Sequence, residues 1–64
     1  MYVNGKQEIL SKKISLLEYL QEKGYQPLYV AVEKNGCIIP RADYQTTFLE
    51  QTDTLEIVQF VGGG

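Results

Sequence analysis

Few side chains in this sequence could do chemistry, and the one promising group stands at its end. There is no histidine, so the usual general base near neutral pH is missing. Cys37 is the single thiol; it has no histidine to form a thiolate pair and no Cys-x-x-Cys partner. Its place in a short strand after a turn predicts a small buried apolar residue instead. Asp43, Asp53 and Glu56 read as turn or surface groups rather than a catalytic acid pair. No His, Cys or carboxylate set has the spacing of a metal site.

What remains is Gly62-Gly63-Gly64. A phosphate-cradling glycine loop opens a helix after a strand, whereas these glycines come last. Three residues without a Cβ reach about 10 Å and fit a narrow channel. Gly64 would present an α-carboxylate, ionised at pH 7 because its pKa is about 3.5. A carboxylate is a poor electrophile: its charge repels nucleophiles and oxide leaves badly. Conversion to an acyl-adenylate by a nucleotide-using enzyme removes both obstacles, and sulfur attack on the carbonyl then leaves a thiocarboxylate. Composition alone sets this reading level with another, in which the glycines are a frayed end or a cloning remnant.

Such a tail needs a body to present it. Asn4-Gly5 and Asn35-Gly36 are both hairpin signals, because these residues readily take positive φ. The first is expected to join a strand at Met1–Val3 to one near Gln7–Leu10. The second joins Tyr29–Lys34 to Cys37–Ile39, stopped by Pro40, which lacks an amide hydrogen. Between them Ser15-Leu16-Leu17-Glu18 fits a capping box, with Ile14 and Tyr19 spaced as a hydrophobic staple. Leu16, Leu17 and Leu20 form the apolar stripe, Gly24 supplies the stop, and Pro27 prevents resumption. A helix of about nine residues cannot hold alone and must pack on a sheet.

Ala42–Thr52 reads as a turn of helix and irregular loop. Thr54–Phe60 reads as the last strand, rich in β-branched and aromatic residues. Leu55 and Ile57 share one face of it and Val58 and Phe60 the other, with Glu56 between. The order is β-β-α-β-β-β, an α+β domain whose mixed sheet carries one main helix across one face. Val58 and Phe60 stay on the uncovered side, as a partner surface or simply as an incompletely covered sheet.

Composition sets the outer limits. Sixty-four residues, 44% hydrophobic and 22% charged, make one small globular domain. A net charge of −2 gives no basic footprint, so nucleic acid is not an expected partner. One cysteine, no signal-peptide pattern and no apolar run near about 18 residues point to a cytoplasmic chain without a membrane anchor. A domain of this size buries only about 60% of its unfolded surface, which leaves little room for a substrate pocket.

The segments Val30-Ala31-Val32-Glu33-Lys34-Asn35-Gly36, Ile39-Pro40-Arg41 and Asp53–Gly64, ending Phe-Val-Gly-Gly-Gly, resemble ThiS, the ubiquitin-like sulfur carrier family of thiamine (thiazole) biosynthesis. Val3-Asn4-Gly5 and the Ser15–Leu20 helix extend the likeness over nearly the whole chain. The resemblance implies a ubiquitin-like β-grasp domain over 1–61 with a flexible glycine tail at 62–64. It implies that a ThiF-like enzyme adenylates the Gly64 carboxylate with ATP, that sulfur from a cysteine desulfurase route gives the thiocarboxylate, and that a ThiG-like thiazole synthase receives it.

On this reading the chain is a monomer when free, binds no cofactor itself and is a substrate rather than an enzyme. Gly62 and Gly63 thread the enzyme channel, and Val58, Phe60 and Val61 form the docking surface. Thr52 departs from the glycine common in the family, Tyr44 stands where another bulky ring is frequent, and Cys37 matches no functional family residue. Two other possibilities are a related β-grasp carrier like the molybdopterin-synthase small subunit, and a non-covalent ubiquitin-like interaction domain.

Overall fold

Both Asn-Gly pairs form the turns their chemistry favours. Asn4 and Gly5 have φ of 52° and 83°, Asn35 and Gly36 of 54° and 84°, the paired positive values that a two-residue hairpin needs. In the computed structural model, which describes residues 1–60, the first turn links β1 (Tyr2–Val3) to β2 (Lys6–Gln7). The second links β3 (Val30–Lys34) to β4 (Cys37–Ile38). Strand β2 stops short of the expected Leu10. There the chain leaves the sheet, and the Gln51 side chain takes over its backbone, donating to Leu10 O at 2.5 Å and accepting from Leu10 N at 3.2 Å.

The helix α1 covers Leu16–Glu22. Ser15 Oγ accepts from the Glu18 amide at 3.1 Å and Glu18 Oε1 accepts from the Ser15 amide at 3.4 Å, so two end donors that would otherwise lack partners are satisfied. Ile14 and Tyr19 are both buried, as a staple requires. Gly24, at φ 86°, turns the chain so that the Tyr25 amide reaches Leu20 O at 2.9 Å. The helix is seven residues rather than nine because this stop begins at Lys23. Pro27–Tyr29 then form a 3-10 turn, which delays the start of β3 from Tyr29 to Val30.

Strand β5 (Thr54–Gln59) lies at the centre of a five-stranded sheet of order β2-β1-β5-β3-β4. It runs parallel to β1, with Tyr2 beside Thr54 and Val3 beside Leu55, and antiparallel to β3 from Val30↔Gln59 to Lys34↔Leu55. This is the expected β-grasp arrangement. Leu16 and Leu20 of α1 meet Val30, Val32 and Leu55 in a core where all five are fully buried. At about 1.5–3 kcal/mol per buried aliphatic side chain, they are the main favourable contribution to holding a seven-residue helix on the sheet.

The segment before β5 contains the expected helical turn, a 3-10 stretch at Arg41–Asp43, and otherwise irregular chain. It closes the core by burying Tyr44 and Leu49 and returns to the helix cap through an isolated bridge between Phe48 and Ser15.

One expectation about a single residue fails, and another is met at a site with unforeseen burial. Cys37 is exposed rather than buried, because β4 is a two-residue edge strand with a neighbour on one side only. Asp53 is a turn residue as expected but lies buried. Its carboxylate accepts from Asn35 Nδ2 at 2.9 Å and from the Glu50 amide at 2.8 Å, with Lys34 Nζ 3.6 Å away.

Candidate functional site: the open face of the central strand

Side chains alternate along β5, so burying Leu55 and Ile57 under the helix turns Glu56 and Val58 outward. Val58 is 58% exposed and Phe60 51% exposed, as their spacing predicted. Pairing with β3 continues past the last strand residue: the Phe60 amide donates to Tyr29 O at 2.8 Å. Phe60 is thereby fixed opposite Tyr29, while Val58 stands opposite the half-buried Ala31. Tyr29, just before β3, and Ile38 on β4 are exposed and extend the apolar surface.

Two acidic side chains interrupt that surface. Glu33 and Glu56 are directly opposed across β3 and β5 and both are exposed; among the described residues neither has an ion-pair partner. Like charges in opposed positions destabilise a sheet. Beside Phe60 the surface dips into a hollow of about 310 Å³ lined by Gly24, Gln26, Tyr29 and Gln59. A larger hollow of about 500 Å³ lies elsewhere, between Leu10–Lys13 and Phe48–Gln51. Its surroundings are structural: the Gln51 clamp on Leu10 spans it, and Lys13 Nζ stands 5.1 Å from the centre of the Phe48 ring.

The strand is held firmly where it approaches this face. Asn4 Oδ1 accepts from the Ile57 amide at 2.7 Å and Asn4 Nδ2 donates to Ile57 O at 3.1 Å. Asn35 Oδ1 accepts from the Thr54 amide at 2.9 Å. The two turn asparagines therefore clamp β5 from both neighbouring strands. Sequence reading identified them as turn formers and missed this second role, as it missed Tyr29 and Ile38 on the open face. Writing β3 antiparallel to β5 in register would have placed Tyr29 opposite Phe60.

Of the predicted site residues, the structure brings Val58 and Phe60 together on one exposed face. Val61, Gly62, Gly63 and Gly64 lie outside the described residues. Among the described residues no group of three or more His, Cys, Asp and Glu side chains could hold a metal ion, and no helix is long and apolar enough to cross a membrane.

Two tyrosines that support the helix and the irregular segment have raised pKa values. Burial is the larger cause for Tyr19, reinforced by the hydrogen bond its hydroxyl donates to Glu8 Oε1 at 2.5 Å and by that carboxylate's charge. Burial also raises Tyr44, partly opposed by the Arg41 cation. Both are structural groups rather than candidates for acid-base work near neutrality.

The sequence profile of the ThiS family matches residues 1–64. The chain belongs to the ThiS family. That family comprises the small sulfur carriers of thiamine biosynthesis to which the sequence motifs pointed. The fold agrees: the crystal structure of a thiamine biosynthesis protein (ThiS) from Geobacter metallireducens superposes with a TM-score of 0.81 at 33% identity, covering 98% of this chain and 96% of that one.

Among curated proteins, an uncharacterized protein, ycf40, of Pyropia yezoensis is 37% identical over 62 residues, 97% of this chain and 87% of its own length. A thiazole synthase of Paramagnetospirillum magneticum is 36% identical over the full 64 residues. This chain spans only 20% of that enzyme's length, and likewise 20% of a thiazole synthase of Magnetococcus marinus.

Proposed function

We propose that this chain carries sulfur for thiazole formation as a thiocarboxylate on Gly64. A ThiF-like enzyme brings ATP; the Gly64 carboxylate oxygen attacks the α-phosphorus and pyrophosphate leaves. The acyl-adenylate that results is an electrophile because AMP is a good leaving group. A persulfide supplied by a cysteine desulfurase route then displaces AMP to give an acyl disulfide. A thiol reductant cleaves its S–S bond, leaving the thiocarboxylate on Gly64 and the reductant's sulfur in a disulfide. A ThiG-like thiazole synthase accepts that sulfur. The chain contributes the acyl group and the recognition surface, and its partners contribute the catalytic groups.

The observation that carries this reading is family membership over all 64 residues. Two others support it. The face carrying Val58 and Phe60 is exposed on the strand that leads toward the glycines, which suits docking that delivers Gly62 and Gly63 into a channel, with Val61 completing the contact. In two bacteria a segment similar to this whole chain is part of a protein named thiazole synthase, and segments fused in one chain commonly work on each other.

The test is intact-mass measurement after incubation with a ThiF-like enzyme, ATP and a sulfur source. Replacement of one oxygen by sulfur is expected at the C-terminus. An unchanged mass would identify a non-covalent interaction domain, and linkage to another protein would identify a conjugating modifier; either would overturn the proposal. Gly64→Ala is expected to fold normally yet lose sulfur acceptance about a hundredfold or more, because a methyl group displaces the carbonyl from its line of attack. An unimpaired thiocarboxylate yield from that variant would remove the narrow-channel explanation for the glycines.

A further inference from the structure

The turn at Asn35-Gly36 combines a chemically labile dipeptide with an unusual set of partners. Asn-Gly is prone to intramolecular attack, because a glycine amide nitrogen has no side chain beside it to hinder approach to the asparagine carboxamide. Here the turn is exposed, and a Cβ placed on Gly36 would meet nothing within 4 Å. Yet the Asn35 side chain is fully engaged: Oδ1 accepts from the Thr54 amide and Nδ2 donates to Asp53 Oδ1, each at 2.9 Å. Its backbone amide also donates to Thr54 O at 2.8 Å. Three bonds thus tie one turn residue to the start of β5, one of them to a buried carboxylate.

We infer that Asn35 is a site of spontaneous deamidation, gated by release of its side chain from β5, whose product loosens the start of that strand. The deprotonated Gly36 nitrogen attacks Asn35 Cγ, a C–N bond forms, and ammonia leaves to give a five-membered succinimide. Water then opens the ring at either carbonyl, leaving aspartate or isoaspartate; the net change is water in and ammonia out. Attack requires the carboxamide to swing free, so the bonds to Thr54 and Asp53 are its lock.

Once converted, the group cannot return to its place unaltered. A donor that faced Asp53 becomes a second carboxylate, and Lys34, 3.6 Å from Asp53 Oδ1, is one cation for two anions. Asp53 is itself buried and its contact with Asn35 partly so, and apposed carboxylates there repel. The isoaspartate product also lengthens the turn backbone by one atom, which spoils a two-residue hairpin. Asn4-Gly5 shares the labile dipeptide and a similar clamp, but its Nδ2 faces the Ile57 carbonyl and no carboxylate. The two turns therefore form an internal pair with different penalties.

The test does not depend on the sulfur-carrier reading. The full chain is incubated in mildly alkaline buffer, folded and in urea, and peptide mapping follows aspartate and isoaspartate at positions 35 and 4. Conversion at Asn35 is expected about tenfold or more slower in the folded chain, as for any reaction that waits on local opening. Asp53→Ala should speed it in the folded state at position 35 and leave position 4 unchanged.

For the product, Asn35→Asp should lower the thermal midpoint, and Asn35→Asp with Asp53→Asn should recover most of the loss. Asn4→Asp should gain nothing from Asp53→Asn. Equal rates in buffer and urea would overturn the inference. So would a double variant no more stable than Asn35→Asp, a comparison that holds even if Asp53→Ala does not fold.

Discussion

The two faces of β5 are made from one run of six residues and serve opposite ends. Toward the helix, Leu55 and Ile57 are sealed in the core; away from it, Glu56 and Val58 meet water, and Phe60 beyond them does the same. A strand alternates its side chains with period two, so neither set constrains the other's identity. Stability is concentrated on one side and surface chemistry left to vary on the other, without the strand moving. A helix of this length could not divide its roles so cleanly, because its apolar stripe and its polar face merge at their borders.

That division can be broken by substitution. The largest effect is expected from Leu55→Ala, which should cost about 2–5 kcal/mol in urea unfolding, against less than about 0.5 kcal/mol for Val58→Ala. Comparable losses at both sites would mean the open face is part of the core. Next, Phe60→Ser should leave the unfolding midpoint nearly unchanged yet, on the proposed function, weaken binding to a ThiF-like enzyme about tenfold or more in calorimetry, as expected for an aromatic anchor. Unaltered affinity would remove this face from the docking surface.

Two smaller effects sharpen the contrast. Tyr19, on the helix side, keeps its proton in the folded state to higher pH than in the unfolded chain. Its stabilisation is therefore complete below the unfolded value of about 10 and is lost as pH rises above it. Urea midpoints measured across that range should fall more steeply for the parent than for Tyr19→Phe, with a residual slope from Tyr44, which is raised in the same direction. Smallest of all, Glu56→Thr on the open face should raise stability by about 0.2–1 kcal/mol, because it relieves the opposed Glu33 charge. A loss instead would show that Glu56 has a favourable role in the free protein.

Legibility in the sequence followed the range of the interactions. Ser15, Glu18 and Gly24 act within a few residues, so both ends of the helix could be placed, apart from two residues of length. The Asn-Gly turns and the alternation in β5 are equally local, and with them came the apolar pair Val58 and Phe60. Asp53 is different: its partners Lys34 and Asn35 are distant along the chain, and only the β3–β5 pairing brings them near.

Cys37 pairs with Lys34, which in turn pairs with the buried Leu55, so it lies on the core side of the sheet. Its exposure comes from the edge position of β4, which no local pattern reveals. Tyr44 and Leu49 belong to an irregular segment whose buried positions follow no repeat, so their part in the core appears only once the sheet is assembled. The candidate site was legible on β5 and hidden on its neighbours.

The outermost strands, β2 and β4, are two residues each. A stray chain seeking a sheet to join finds almost no ladder on either flank, and so little to grip. For a protein this small, that brevity is a safeguard against sticking to its own kind.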